Sequence, residues 1–275
     1  MKTARRLVSC AAALIFAACL AEAPVRAAND KELQNNKGSV SYQRGSAATP
    51  LAPNATTVLD DRDYAITGEA SLATIGLPDS SRVLVGSSSK VQLAAFNQAE
   101  NTRAKFVVVA GKVRFIVEHP QGAKADFTFA TATGSVAVRG TEGDIDQSGN
   151  DLRVNVYEVC DPSEPVVVTT SNGQRFTLVA GQSLFAQLVN GIVQAKVEQI
   201  TQQLIDQFSP DFGVPTSWDA AKGQIISAAQ SQASSTIDNA TGGYGGQVAG
   251  AIGGLFHHKA TPTPSPSPAS TSCSH

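Results

Sequence analysis

Between Gly38 and about Leu188, apolar and polar positions alternate in short runs. In "GKVRFIVEH" the side chains of Val113, Phe115 and Val117 fall on one face, in "DFTFAT" those of Phe127 and Phe129, and in "LRVNVYEV" those of Leu152, Val154 and Val156. A period of two is the pattern of half-buried strands. Turn-forming clusters cut the runs: "PDSS" at Pro78, "HPQG" at His119, "QSGND" at Gln147 and "TSNGQ" at Ser171, the last with Asn172 and Gly173 suited to a tight hairpin. Valine, threonine and phenylalanine dominate the runs and fill a pleated surface well. One open sheet would leave too much of this apolar surface in water, so the pattern predicts an all-β fold: a sandwich, a barrel or a solenoid-like coil of short strands around an internal core.

The period changes after that. In "VQAKVEQITQQLIDQF" the residues Val193, Val197, Ile200, Leu204 and Phe208 recur at spacings of three and four, an apolar helical stripe that Pro210 should end. A weaker second helix is expected from Ser217 or Trp218 to about Ser234. Two roles fit these helices: covering the open end of the β-structure, where unpaired strand edges must be hidden, or binding a partner. "GGYGGQVAGAIGGLF" spaces Gly246, Gly250 and Gly254 by four, as in close helix contacts, but its continuous apolar run is too short to span a bilayer. It reads as a flexible linker, or as a small membrane-associated or self-associating segment. The tail "TPTPSPSPASTS" is extended and builds no core. The expected organisation is therefore a signal peptide over 1–27, a leash over 28–37, a β-domain over 38–188, a helical appendage over 189–234, a glycine-rich segment over 235–259 and a disordered tail over 260–275.

Lys2, Arg5 and Arg6 precede an apolar run from Leu7 to Ala21, and "PVRAA" offers small residues for cleavage after Ala27, the layout of an export signal. "IFAAC" ending at Cys19 also resembles the bacterial lipoprotein box, with Phe16 where leucine is usual. The expected location is periplasmic or secreted, with an outer-membrane lipoprotein tethered through Cys19 as the alternative. Cleavage after Ala27 removes Lys2, Arg5, Arg6, Arg26 and Glu22, leaving 17 basic and 22 acidic side chains, a net charge of −5. With no basic stripe and no aromatics interleaved with lysine or arginine, a nucleic-acid partner is excluded. An oxidising compartment would permit Cys160 and Cys273 to pair.

The densest chemistry lies in "TATGSVAVRGTEGDIDQSG", Thr131 to Gly149, with four glycines, an arginine and three carboxylates. It lacks the lysine and serine or threonine that end a phosphate loop, and alternating strand separates Gly134 from Gly140, where a dinucleotide loop needs glycines between strand and helix. Asp144, Asp146 and Ser148 begin like a calcium loop, but Asn155 stands where the closing glutamate belongs, and a turn explains the same residues. The clustered Asp60, Asp61 and Asp63 read as a solvated turn. His119, His257, His258 and His275 accompany no nucleophile motif. No catalytic, cofactor or metal residue is assigned.

The order of these phrases resembles the FecR domain. "GSVSYQRG", "VLDDRDYAITGEASLATIGLPDSSRVLVGSSSKVQL", "VVAGKVRFIV", "FTFATATGSVAVRGTEGDI" and "FTLVAGQSL" follow one another as that family's motifs do. Ser80 replaces the glycine of its "DGS" turn, Gly143 stands where an aromatic is expected, and "CDPSEP" after Val159 is an insertion. The resemblance implies an all-β solenoid-like coil in which Gly134, Gly140 and Gly181 sit at turns or close strand contacts, so that the glycine-rich stretch is a corner of the coil. It also implies a signalling family in which the named member hears an outer-membrane transporter and controls a sigma factor. Here an export signal stands where a cytoplasmic anti-sigma segment would be, so direct sigma-factor control is not expected.

The function expected is a non-enzymatic exported module, without cofactor, binding a protein or polysaccharide of the cell envelope. The alternatives are a periplasmic sensor acting through a separate membrane protein and, more remotely, an envelope hydrolase. The intact mass of the exported protein separates the two processing routes: an N-terminus at Ala28 with no added mass is expected, against a diacylglyceryl adduct on Cys19.

Overall fold

The computed structural model describes residues 30–99, 101–118 and 125–218. The expected export signal, the expected turn at His119, all but the start of the expected second helix, the glycine-rich segment and the proline-rich tail lie outside them.

Seventeen strands build two sheets. The first contains β1 (Glu32–Lys37), β4 (Thr56–Val58), β6 (Leu72–Gly76), β7 (Arg82–Val85), β12 (Thr141–Ser148), β13 (Asp151–Val159), β16 (Gln182–Val189) and β17 (Ile192–Gln199). The second contains β2 (Val40–Arg44), β3 (Ala47–Leu51), β5 (Tyr64–Thr67), β8 (Lys90–Gln98), β10 (Ala125–Ala130), β11 (Gly134–Val138), β14 (Val166–Thr170) and β15 (Arg175–Leu178). The sixteen-residue β9 (Thr102–Val117) belongs to both: its first half pairs with β8 and β10, its second with β7 and β12. The first sheet runs β4-β1-β6-β7-β9-β12-β13-β16-β17. The second runs β3-β2-β5-β8-β9-β10-β11-β14-β15.

From β6 onward the chain visits the sheets in alternation, mostly two strands at a time, and so winds as a coil around one apolar layer. The expected all-β coil is present, and the two sheets do not close on themselves. The inward faces carry the alternating residues read from the sequence: Val113, Phe115, Val117, Phe127, Phe129, Leu152, Val154 and Val156 have no exposed surface. Phe106, Phe115 and Phe129 stack at centroid distances of 5.2 and 5.3 Å along the middle of this layer. Side chains of that size supply about 1.5–3 kcal/mol each on burial.

Glycine acts at two kinds of place. Gly140, with φ 60°, turns the chain from the second sheet into the first, so the glycine-rich stretch is a corner flanked by strands. At Gly143 a Cβ would lie 2.4 Å from Phe115 Cζ and 2.4 Å from Asn155 O. Phe115 thus occupies the space that an aromatic at 143 would need, which accounts for the departure from the family pattern. Ser80, in the glycine place of the "DGS" turn, takes φ 71° while the Asp79 carboxylate accepts from Ser81 N (3.1 Å) and Oγ (2.9 Å).

Four expectations need correction. The leash over 28–37 becomes, from Glu32, strand β1, with Leu33 fully buried between β4 and β6. The β-structure continues past Leu188 to Gln199, because Val193 and Val197 belong to β17. A spacing of four is even and suits one face of a strand as well as of a helix. The turn before β17, Asn190–Gly191, has both φ positive (52° and 78°) as a two-residue hairpin demands. Finally, Asp144 and Asp146 lie within β12 and not in a turn, and Asp63, of the supposed solvated turn, is buried and hydrogen-bonded to Arg44 at 2.7 Å. The hairpin at Asn172–Gly173 is present, joining β14 to β15.

Candidate functional site: a sealed charge layer and an open face

Alternation along β9, β12 and β13 sends Arg114, Asp144, Asn155 and Tyr157 to the outer face of the first sheet. On an open sheet these would meet water. Instead they are buried, because helix α1 (Gln202–Phe212) and the segment after it cross that face. Thr201 caps α1, its side chain accepting from Leu204 N at 3.3 Å, and Gly213 ends it with φ 74°. Pro210 lies inside the last turn rather than beyond it; the Ser209 hydroxyl reaches Asp206 O (3.4 Å), the carbonyl that a residue with an N–H at 210 would serve. Leu204, Ile205 and Phe208 are buried, and Ile200, Leu204, Ile205 and Trp218 cluster with Tyr157. The helix thus docks by its apolar stripe as the spacing suggests, on a face of the sheet rather than at the open end.

Beneath it lies a charge layer. Arg114 donates to Asp144 Oδ1 from Nε (2.7 Å) and to Oδ2 from Nη2 (2.9 Å), a two-pronged pair with side chains 3% and 0% exposed. Its remaining terminal nitrogen donates to the carbonyl of Gly213 (3.0 Å), and its guanidinium lies 5.2 Å from the Phe212 ring centroid. Tyr157 donates to Asp144 Oδ2 at 2.5 Å. Glu142 receives the segment after the helix: its carboxylate accepts from Thr216 N (3.2 Å), Thr216 Oγ1 (2.9 Å), Ser217 N (3.1 Å) and Ser217 Oγ (2.6 Å). At the far end Asp211 accepts from Lys112 Nζ (3.0 Å) and Ser87 N (3.0 Å). Phe212 seats on Gly86, where a Cβ would come 2.8 Å from the ring.

Burial pushes the Asp144 carboxyl above its ordinary value, against the pull of the Arg114 hydrogen bonds and charge. Burial and the neighbouring Asp144 carboxylate push the Tyr157 phenol far up, so it stays a neutral donor. Burial also opposes the Arg114 charge, but the hydrogen bonds and charge of Asp144 outweigh it and its pKa rises. Arg114, Asp144 and Glu142 each bond to protein groups and are buried, so this layer fastens the helix and the segment after it to the sheet. Sequence reading placed these residues in strands or turns; only their position on an outward face, opposite the apolar stripe of α1, hinted at a buried role.

The outer face of the second sheet is different. No described helix or strand crosses it. Arg103 and Lys105 of β9 and Arg175 of β15 project from it without an ionic partner among the described residues, while Arg139, just past β11, has the loose neighbours Asp126 (3.8 Å) and Glu164 (3.7 Å). A depression of about 430 Å³ lies between Arg139, Arg175, Thr169, Thr177 and Ser163. Another of about 400 Å³ lies among Phe96, Arg103, Lys105 and Thr128, with the carboxylates of Asp61 and Asp126 at its wall. Among the described residues no group of three or more histidine, cysteine, aspartate or glutamate side chains is arranged to hold a metal, and no helix is long and apolar enough to cross a membrane. Cys160 is disulfide-bonded, and the other cysteines, at 10, 19 and 273, lie outside the described residues.

A coil that is antiparallel except where β10 pairs with β9, with one sheet face strapped and the other uncovered among the described residues, defines a β-scaffold that presents a surface. Residues 63–158, β5 to β13 in the coil, match the FecR protein family, and the chain carries a FecR domain. The match is narrower than the stretch from Gly38 to Leu188 that resembles the family by motif. Two crystal structures of a candidate anti-sigma factor from Parabacteroides distasonis are similar at 16% identity, with TM-scores of 0.40 and 0.39. The aligned part covers 50% of this chain and 60% of theirs, a likeness too slight to transfer a partner. No curated protein matches the chain.

Removing one member of the buried pair should cost far more than removing both. Arg114→Met leaves Asp144 buried without its cation, about 3–5 kcal/mol of destabilisation, whereas Arg114→Met with Asp144→Leu should recover most of it. At about 2–4 °C per kcal/mol for a domain of this size, thermal unfolding should show a single-variant midpoint roughly 10 °C below the parent. The double variant should lie between them and nearer the parent.

Proposed function

We propose that the protein is a non-enzymatic module of the cell envelope that binds an acidic protein partner on the open face of the second sheet. The observation that carries this reading is the asymmetry of the two faces. The first sheet's ionisable chemistry is used up in fastening α1, while the second sheet keeps Arg103, Lys105 and Arg175 exposed and free of ion pairs on a chain whose overall charge is negative. Arginine on a broad shallow face suits a protein surface, where guanidinium groups are enriched, and opposite charge there speeds encounter. The FecR relationship supports a protein partner in signalling over a polysaccharide. The export-signal pattern of the first 27 residues supports the envelope as the place of work, and the FecR match supports the non-enzymatic reading.

The full chain, immobilised and exposed to envelope extract, should retain a protein that elutes as salt is raised. Arg103→Glu, Lys105→Glu and Arg175→Glu together should abolish retention while leaving the unfolding midpoint within about 2 °C, since surface substitutions cost little. Undiminished retention by the triple variant, or capture of polysaccharide alone, would overturn the reading.

A further inference from the structure

Three of the four sheet edges carry protection. β4 has three residues, β15 has four, and β3 contains Pro50. Short strands and proline are the usual devices against edge-to-edge pairing. β17 is the longest of the four and has no proline: eight residues in regular register with β16 along its whole length, with one exposed lysine, Lys196, and two large apolar side chains in water, Ile192 at 64% and Val197 at 40% exposure.

The direction of its backbone groups follows from two hydrogen bonds. Ile200 N donates to Gly181 O, and Leu188 N on the other side of β16 donates to Asn150 O, both in register. Ile192, Gln194, Lys196 and Glu198 therefore turn their N–H and C=O toward β16, and Val193, Ala195, Val197 and Gln199 turn theirs to the open edge. Helix α1 leaves from Thr201 to lie over Tyr157 of β13 and Arg114 of β9, and among the described residues no strand pairs with that edge.

We infer that β17 pairs antiparallel with β17 of a second copy about a two-fold axis at Val197. In that register Val197 faces Val197 as a hydrogen-bonded pair, Ala195 faces Gln199, and Lys196 faces Glu198 in both directions as close, non-hydrogen-bonded pairs. Lys196 pairs with Glu198 of its own strand at 2.7 Å, and Glu198 with Arg153 at 2.8 Å, so this register brings two such pairs together with unlike charges directly opposite, whereas shifting it by half a step to bring Lys196 onto Lys196 would oppose like charges. Val197 lies on the inward side at the open end of the sandwich, so the same pairing buries it against its counterpart. The two coils then share continuous first sheets and leave both open second-sheet faces free. The occupant is a second copy because the edge is complementary to itself, the requirement of an isologous contact.

Sedimentation or light scattering of the exported full chain at about 100 µM, where a dimer with a dissociation constant of about that value is half-formed, should give an average mass about midway between one chain and two or higher, rising toward twice the chain mass with concentration. Lys196→Glu places carboxylates opposite one another and should yield the monomer. Lys196→Glu with Glu198→Lys restores the opposition and should restore the dimer. Val197→Pro removes an N–H that points away from β16, the place where an edge strand tolerates proline, and should give a monomer that still unfolds cooperatively. A monomeric parent, or a dimer that survives both Lys196→Glu and Val197→Pro, would overturn the assignment, as would failure of the charge swap to restore the dimer.

Discussion

The pair between Arg114 and Asp144 organises everything outside the apolar core. It sits on a sheet face that alternation alone would expose, and two buried charges in that position are tolerated only when bonded to each other and sealed. The guanidinium uses one edge for the carboxylate and the opposite nitrogen for the Gly213 carbonyl, so the charge that neutralises Asp144 also holds the end of the helix. Tyr157 and Glu142 extend the layer on either side. Apolar burial of Leu204, Ile205 and Phe208 supplies most of the attraction. The ionic layer fixes where the helix lies, because displacement would strand charges in a low dielectric.

That fastening gives the molecule two unlike faces. A coil of hairpins visiting two sheets in turn would otherwise present similar polar surfaces on both sides. Covering one leaves the other, among the described residues, as the broad surface with exposed cations, and α1 runs across the first sheet rather than along β17. Contact through the second sheet and self-pairing at β17 use different surfaces, so neither occludes the other.

The fold was largely legible in the sequence because inward-facing residues such as Phe115, Phe129 and Val154 alternate strictly, and nothing but a strand places them together. The Val193–Phe208 stretch was misread because its apolar spacings fit both a strand end and a helix; the Asn190–Gly191 turn was the signal that would have divided it. The charge layer was not legible. Arg114, Asp144 and Tyr157 occupy polar phases of ordinary alternating strands, and Glu142 meets Thr216 across more than seventy residues, a contact without local signature. Burial of a polar face depends on what is laid over it, and that is a tertiary fact.

Amide hydrogen exchange of the full chain tests the central claim most directly. If the segment is fastened by the charge layer, the amides of Leu204, Ile205, Thr216 and Ser217 should be protected to nearly the same free energy as those of β12 and β13, opening only with the whole domain. Exchange of those four amides at close to unprotected rates while β12 and β13 stay protected would contradict the account.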